Sequence, residues 1–152
     1  MSIKEGSKLL VRQISAIVIT TILIWIFARI YKIEYPLITS LEDVWISDVI
    51  VVLLALIMAV LIKGLSKPMS MIYEESLPGK VEVVSEVTGH VLDLVNLAVL
   101  YIFLRKIVES VLDLYIRKIV PELGQLPGII YDVAFIIAGL LIVYSIIKIL
   151  TR

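Results

Sequence analysis

The 152 residues include no cysteine and a single histidine. The first absence excludes disulfides, thiolate metal centres and cysteine nucleophiles. The second leaves too few nitrogen ligands for a zinc site, or for haem or copper ligation by this chain alone. No sign of charge is in excess either: 14 Lys and Arg balance 14 Asp and Glu, so neither a nucleic-acid footprint nor a surface for acidic partners is indicated. The G-x-S-x-G, P-loop and H-E-x-x-H signatures are missing as well. With only short polar connections, no soluble domain is available to recognise a substrate. The reading is a chain that is not an enzyme, with no cofactor, no metal, no nucleic-acid partner and no evident small-molecule substrate.

What is abundant is apolar side chains. They make up 61% of the sequence, with a mean hydropathy of +1.07, against about half in ordinary soluble domains. They come in blocks. A bilayer core of roughly 30 Å needs about 20 such residues as helix, and a barrel would need short alternating strands, which these blocks are not. The sequence therefore predicts an all-α integral membrane protein: four transmembrane helices, with an amphipathic interfacial helix between the third and fourth, forming a four-helix bundle as one domain over residues 1–152.

The first span is expected over 14–31. Lys4, Lys8 and Arg12 precede ISAIVITTILIWIFA, and no small-residue cleavage site follows, so this reads as a retained helix rather than a signal peptide. Trp25 and Tyr31 suit the membrane interface. The second span, 44–62, is expected to open at a capping-box-like Ser40-x-x-Asp43 and to close at Lys63-Gly64, the glycine serving as a left-handed cap. Residues 65–81, with Pro68 and Pro78-Gly79, read as the longest polar connection. The third span is 87–104 and the fourth 129–150, with Pro127 in the first turn of the latter.

Between these lies RKIVESVLDLYIRKIV, residues 105–120. At 100° per residue, Arg105, Lys106, Glu109, Ser110, Asp113 and Arg117 share one face and apolar residues the other. Such a helix lies on the membrane surface or packs with one side solvated. Basic flanks favour a cell-membrane, multi-pass topology with both termini cytoplasmic.

The third span opens with EVVSEVTGHVLDLVN. Glu82, Glu86, His90, Asp93 and Asn96 fall within about 120° of arc, a polar face that lipid does not accept. Three readings stand: an ion or proton path, with Asp93 orienting His90, an interhelical hydrogen-bond seam, or a shallow placement in which a span beginning at Leu92 leaves His90 at the interface. Asp132, in the first turn of the last span, is a candidate partner of this stripe and equally a favourable acid at a helix N-terminus. Its Tyr131-Asp132 pair is similar to one motif of presenilin-type proteases, whose second motif, Gly-x-Gly-Asp, has no counterpart here. Ala134, Ala138 and Ser145 form a small-residue helix-packing face. Residues 101–120 followed by LPGIIYDVAFIIAGLLIVYS resemble the linker and following span of small-conductance mechanosensitive channels. That family's glycine- and alanine-rich pore helix and β domain have no match in these residues, so the resemblance assigns no function.

Two functions follow as expectations. The first is a non-catalytic membrane subunit or scaffold that packs into a homo-oligomer or a larger membrane complex, with lipid and other membrane subunits as partners. The alternative is a homo-oligomeric ion or proton channel lined by Glu86, His90 and Asp93.

Overall fold

A computed structural model describes residues 3–36, 41, 43–122 and 124–152. Its elements are helical: α1 (Ile3–Trp25), ending in a π-helical turn (Ile26–Ile30), α2 (Ile46–Gly64), α3 (Ser66–Ser76), α4 (Val81–Ile119) and α5 (Leu126–Leu150). Among the described residues the only β feature is an isolated bridge between Pro36 and Trp45. Among the described residues three stretches are long and apolar enough to cross a membrane: Ile3–Ile30, Ile46–Ser76 and Leu126–Leu150. The 39-residue α4 is not among them. It carries nine charged side chains, and its longest charge-free run is only Leu94 to Leu104.

Hydroxyl side chains in the apolar helices satisfy themselves. Thr20 and Thr21 donate to the carbonyls of Ala16 and Ile17, and Ser15 to that of Val11, which is how such residues sit in an apolar helix at little cost. The π turn closes when the Tyr31 N–H reaches Ile26 O at 2.7 Å, an i to i+5 bond.

The start of α2 differs from the expected Ser40-x-x-Asp43 signal. Ser40 lies outside the described residues, and the helix begins at Ile46, with the Asp48 carboxylate accepting the Trp45 N–H at 2.9 Å. This is half of a capping box, and it places an acid in the first turn, where the helix dipole favours it.

The polar connection expected over 65–81 is largely helix. Gly64 is not a left-handed cap, since Gly79 alone among the described residues has positive φ. The chain stays right-handed through Leu65 (φ −65°, ψ −24°) into α3. Pro68 does not stop it, because a proline in the first turn of a helix removes an N–H that has no partner there. At the joint the Leu65 N–H goes to Ile62 O, and the freed Leu61 carbonyl accepts from Gln13 Nε2 at 2.9 Å. Gly64 leaves room for that amide; a Cβ there would collide with it. The true turn comes later, where Pro78 and Gly79 (φ +94°) lie between Leu77 O and the Lys80 N–H that bonds it, the arrangement of a type II turn.

The amphipathic segment 105–120 is not a separate interfacial helix. It continues α4 without a break to Ile119, so α4 is a rod of about 58 Å at 1.5 Å per residue. Half of it runs beyond the length that an apolar core requires.

Packing centres on one stripe of α2: Ser47, Val51, Ala55, Met58 and Ile62 are buried there. Ile24 from α1 and Leu92 from α4 complete the core, with Phe27, Val99 and Phe103 against it. Next to it, α3 packs between the start of α1 and the start of α4, where Gly6 lets Met71 and Ile72 approach. By backbone proximity α5 approaches α4 and no other helix. The expected four-helix bundle is therefore an open array, since a closed bundle would return α5 to α1. The outer face of α5 is bare, with Ile129, Val133, Ile136, Ile137, Leu140 and Tyr144 all exposed.

Candidate functional site

The polar side chains of α4 form two rungs, one near each end of α2. The first is built on the predicted stripe. Lys63, in the last turn of α2, donates to Asp93 Oδ1 at 2.6 Å and to Gly89 O at 3.3 Å. One turn deeper, Asn96 donates to Ala59 O at 3.0 Å, again across to α2. Glu86 pairs with Arg152 at 3.4 Å, and Glu82 is exposed.

His90 is not oriented by Asp93 as expected. Its Nδ1 lies 3.6 Å from Asp93 Oδ2, too long for a hydrogen bond. The carboxylate is held instead by the lysine on α2. Lys148 and Ser145 of α5 complete the walls of a cleft of about 440 Å³ here.

The second rung lies about 18 Å along α4, twelve residues on. Arg105 is its centre. Its Nε donates to Glu109 Oε1 at 2.7 Å, its Nη1 to the Tyr101 hydroxyl at 2.7 Å, and Nη1 lies 3.3 Å from Asp132 Oδ1. The Tyr101 hydroxyl donates to Asp132 Oδ1 at 2.7 Å. Tyr131 donates to the carbonyl of Tyr101 at 2.8 Å, and stacks on the Tyr101 ring with Phe135 beside both. Next door, Lys106 reaches from α4 to Asp48 on α2 at 2.6 Å, its ammonium 4.5 Å from the centre of the Trp45 ring.

The structure thus separates residues that the sequence grouped. Asp132 is not the partner of the stripe. It faces Tyr101 and Arg105, eight and twelve residues beyond Asp93, about 12 to 18 Å away along α4. Ala134 is exposed, while Ala138 and Ser145 are half-buried; Ser145 spends its proton on its own helix at Leu141 O. The face of α5 that meets α4 runs through Gly128, Tyr131, Phe135, Gly139 and Ile149, with Ala138 and Ser145 at its side. Gly128 and Gly139 make the closest approaches, since a Cβ at either would meet Glu109 Oε1 at 3.2 Å or Leu97 Cδ2 at 3.5 Å. Small residues do form the contact, but as single glycines flanked by aromatics.

Sequence reasoning missed Lys63, Asp48, Tyr101 and Arg105 as members of the seam. A usable signal was there. Lys63 ends the apolar run of α2 and Asp93 precedes that of α4, so antiparallel neighbours bring the two to one level. Two polar atoms stay buried without a partner among the described residues, Asn96 Oδ1 and Ser85 Oγ. No group of three or more metal-ligating side chains occurs among the described residues. Comparison with protein-family models, curated proteins and solved structures gives no match.

Proposed function

We propose that this chain is a non-catalytic integral membrane subunit or scaffold, with four spans and both termini cytoplasmic, that assembles with copies of itself or with other membrane proteins. The single observation that carries this reading is exposure of ionised groups where lipid would meet them. The side chains of Arg105, Glu109 and Asp132 are 33–41% exposed along the open array. Both rungs lie within one helix length of each other, closer than the roughly 30 Å thickness of a bilayer core. A charge facing lipid at mid-depth costs at least about 2.5 kcal/mol on insertion scales, so a protein surface or water must cover these groups. The bare outer face of α5 suits lipid or a further helix equally well.

The topology rests on charge distribution. Residues 3–13, 63–93 and 145–152, which the fold gathers at one end, hold eight of the 14 basic residues and six of the 14 acids. The more basic end faces the cytoplasm by the positive-inside rule.

The alternative, a homo-oligomeric ion or proton pathway through Glu86, His90 and Asp93, has less support. Asp93 is engaged by Lys63 and Asn96 by Ala59, as in a seam.

Light scattering and native mass spectrometry of the full chain in mild detergent, alongside flux measurements in liposomes, test the proposal. A defined oligomer or fixed complex that is electrically silent is the expected result. A lone monomer in lipid nanodiscs, or proton flux abolished by Asp93→Asn and His90→Ala in an intact oligomer, would overturn it.

A further inference from the structure

The cleft at the first rung carries an unbalanced charge. Its walls come from three helices: Lys63 from α2, Glu86, His90 and Asp93 from α4, and Lys148 and Arg152 at the end of α5. Three permanent cations therefore face two carboxylates. Lys63 is committed to Asp93 and Gly89, and Arg152 touches Glu86 only at 3.4 Å. The Lys148 ammonium has no hydrogen-bond or ion-pair partner among the described residues, and neither has the His90 imidazole beyond its 3.6 Å approach to Asp93. Ser145 adds no donor, its proton being used within α5.

The opposite end of the array offers the control. There a larger cleft of about 800 Å³ is lined by Arg105, Arg117 and Lys118 against Asp43, Glu109 and Asp113. Each arginine has a carboxylate at 2.7 Å, and three cations face three carboxylates, so this cleft carries no cationic surplus. Its level in a membrane also follows from the sequence. Lys63 directly follows the apolar run of α2, and Lys148 directly follows GLLIVYSII near the end of α5. Cations at the ends of two apolar runs, converging on one laterally open cleft, sit where bilayer phosphates lie.

We infer that this cleft binds the phosphate group of an anionic lipid, through Lys148 and Arg152 with Lys63 and His90 behind them. The inference rests on the membrane reading above. A phosphate diester or monoester supplies the negative charge that the surplus lacks, and its acyl chains would lie against the exposed apolar face of α5.

The test uses the full chain in detergent micelles, followed by native mass spectrometry. Phosphatidic acid, phosphatidylglycerol and phosphatidylcholine with the same acyl chains are titrated in, and inorganic phosphate is added as a competitor. The anionic lipids are expected to bind more tightly than phosphatidylcholine. Lys148→Gln and Arg152→Gln should each weaken them about fivefold, the increment for one basic residue at an anionic surface. Arg117→Gln with Lys118→Gln, at the other end, should change nothing. Equal binding of phosphatidylcholine, or an equal loss in the Arg117/Lys118 variant, overturns the site. Competition by inorganic phosphate at lipid-like concentrations identifies a free phosphate as the ligand, and failure to compete identifies the headgroup; either upholds the site. Resistance of each variant to carbonate extraction reports separately on membrane integration. Loss of integration in the unaltered chain sinks the membrane reading, whereas unselective lipid binding with integration intact sinks only this inference.

Discussion

Replacing Lys63 by methionine should destabilise the fold more than replacing Asp93 by asparagine, and the double variant should resemble Asp93→Asn alone. The pair is short, at 2.6 Å, with Lys63 49% and Asp93 33% exposed. Exposed pairs are worth about 0.2–1 kcal/mol, whereas stranding one member of a buried pair costs about 3–5 kcal/mol. Partial exposure at the end of α2 places the Lys63→Met cost between these, about 1–3 kcal/mol. The asymmetry comes from reach. A stranded lysine can extend its four-carbon stem toward the headgroups, so Asp93→Asn should cost about 1 kcal/mol or less. A stranded aspartate has no such stem and depends on Lys148 or Arg152 reaching it from the end of α5.

Reversible SDS-induced unfolding in bicelles, followed by far-UV circular dichroism, measures all four corners of the cycle. A coupling energy equal to the Lys63→Met cost, about 1–3 kcal/mol, is expected. If the two single effects add to within about 0.5 kcal/mol, as distant sites do, or if Asp93→Asn proves the worse substitution, the seam is not held by this pair. Asn96→Ala is a useful companion. It removes the bond to Ala59 O but also the buried Oδ1 that has no partner, so its net cost should stay below that of Lys63→Met.

Three further outcomes can be checked with the same preparations. Gln13→Ala removes the donor to the Leu61 carbonyl at the α2–α3 joint and should cost about 1 kcal/mol; Gly64→Ala, which displaces that amide, should add little on top of it in the double variant. Gly128→Leu forces a side chain against Glu109, and by overpacking should destabilise by about 1–3 kcal/mol and loosen α5 from α4, read by the same unfolding curve and by faster amide exchange at the start of α5. Because the native chain has no cysteine, single cysteines at Leu77 and Thr151 should react with a membrane-impermeant maleimide from one side of the bilayer and those at Glu34 and Gly124 from the other; labelling of Leu77 and Thr151 from opposite sides would mean that α4 does not cross.

The apolar helices were legible because lipid-grade runs need no partner to declare themselves. The expected spans 44–62 and 129–150 fall within a few residues of α2 and α5. Local signals misled where tertiary packing overrode them. Gly64 and Pro68 looked like a stop, yet Gln13 from another helix satisfies the carbonyl freed at that joint, and the chain continues as α3. Of the small residues of α5, Ala138 and Ser145 are half-buried and Ala134 is exposed, whereas the stacking of Tyr131 and Phe135 against Tyr101 went unread, because aromatic pairing across helices leaves no periodic trace.

The polar stripe was legible as a surface that lipid rejects, and its partner was not, because a partner is a property of register. Register here is fixed twice. Asp48 and Lys63 stand 15 residues apart on α2, and Lys106 and Asp93 stand 13 apart on α4, in the antiparallel order. At 1.5 Å per residue the mismatch is about 3 Å, a distance that two lysine stems absorb. A slip of one helical turn, about 5.4 Å, would part both pairs at once, although apolar packing between α2 and α4 would change little. The charged residues of α4 therefore do for the α2–α4 pair what hydrophobic contact cannot do in lipid, where apolar surface gains nothing by choosing one helix over the surrounding chains. They select one alignment, and in doing so they hold Lys63, His90 and Lys148 around a single cleft.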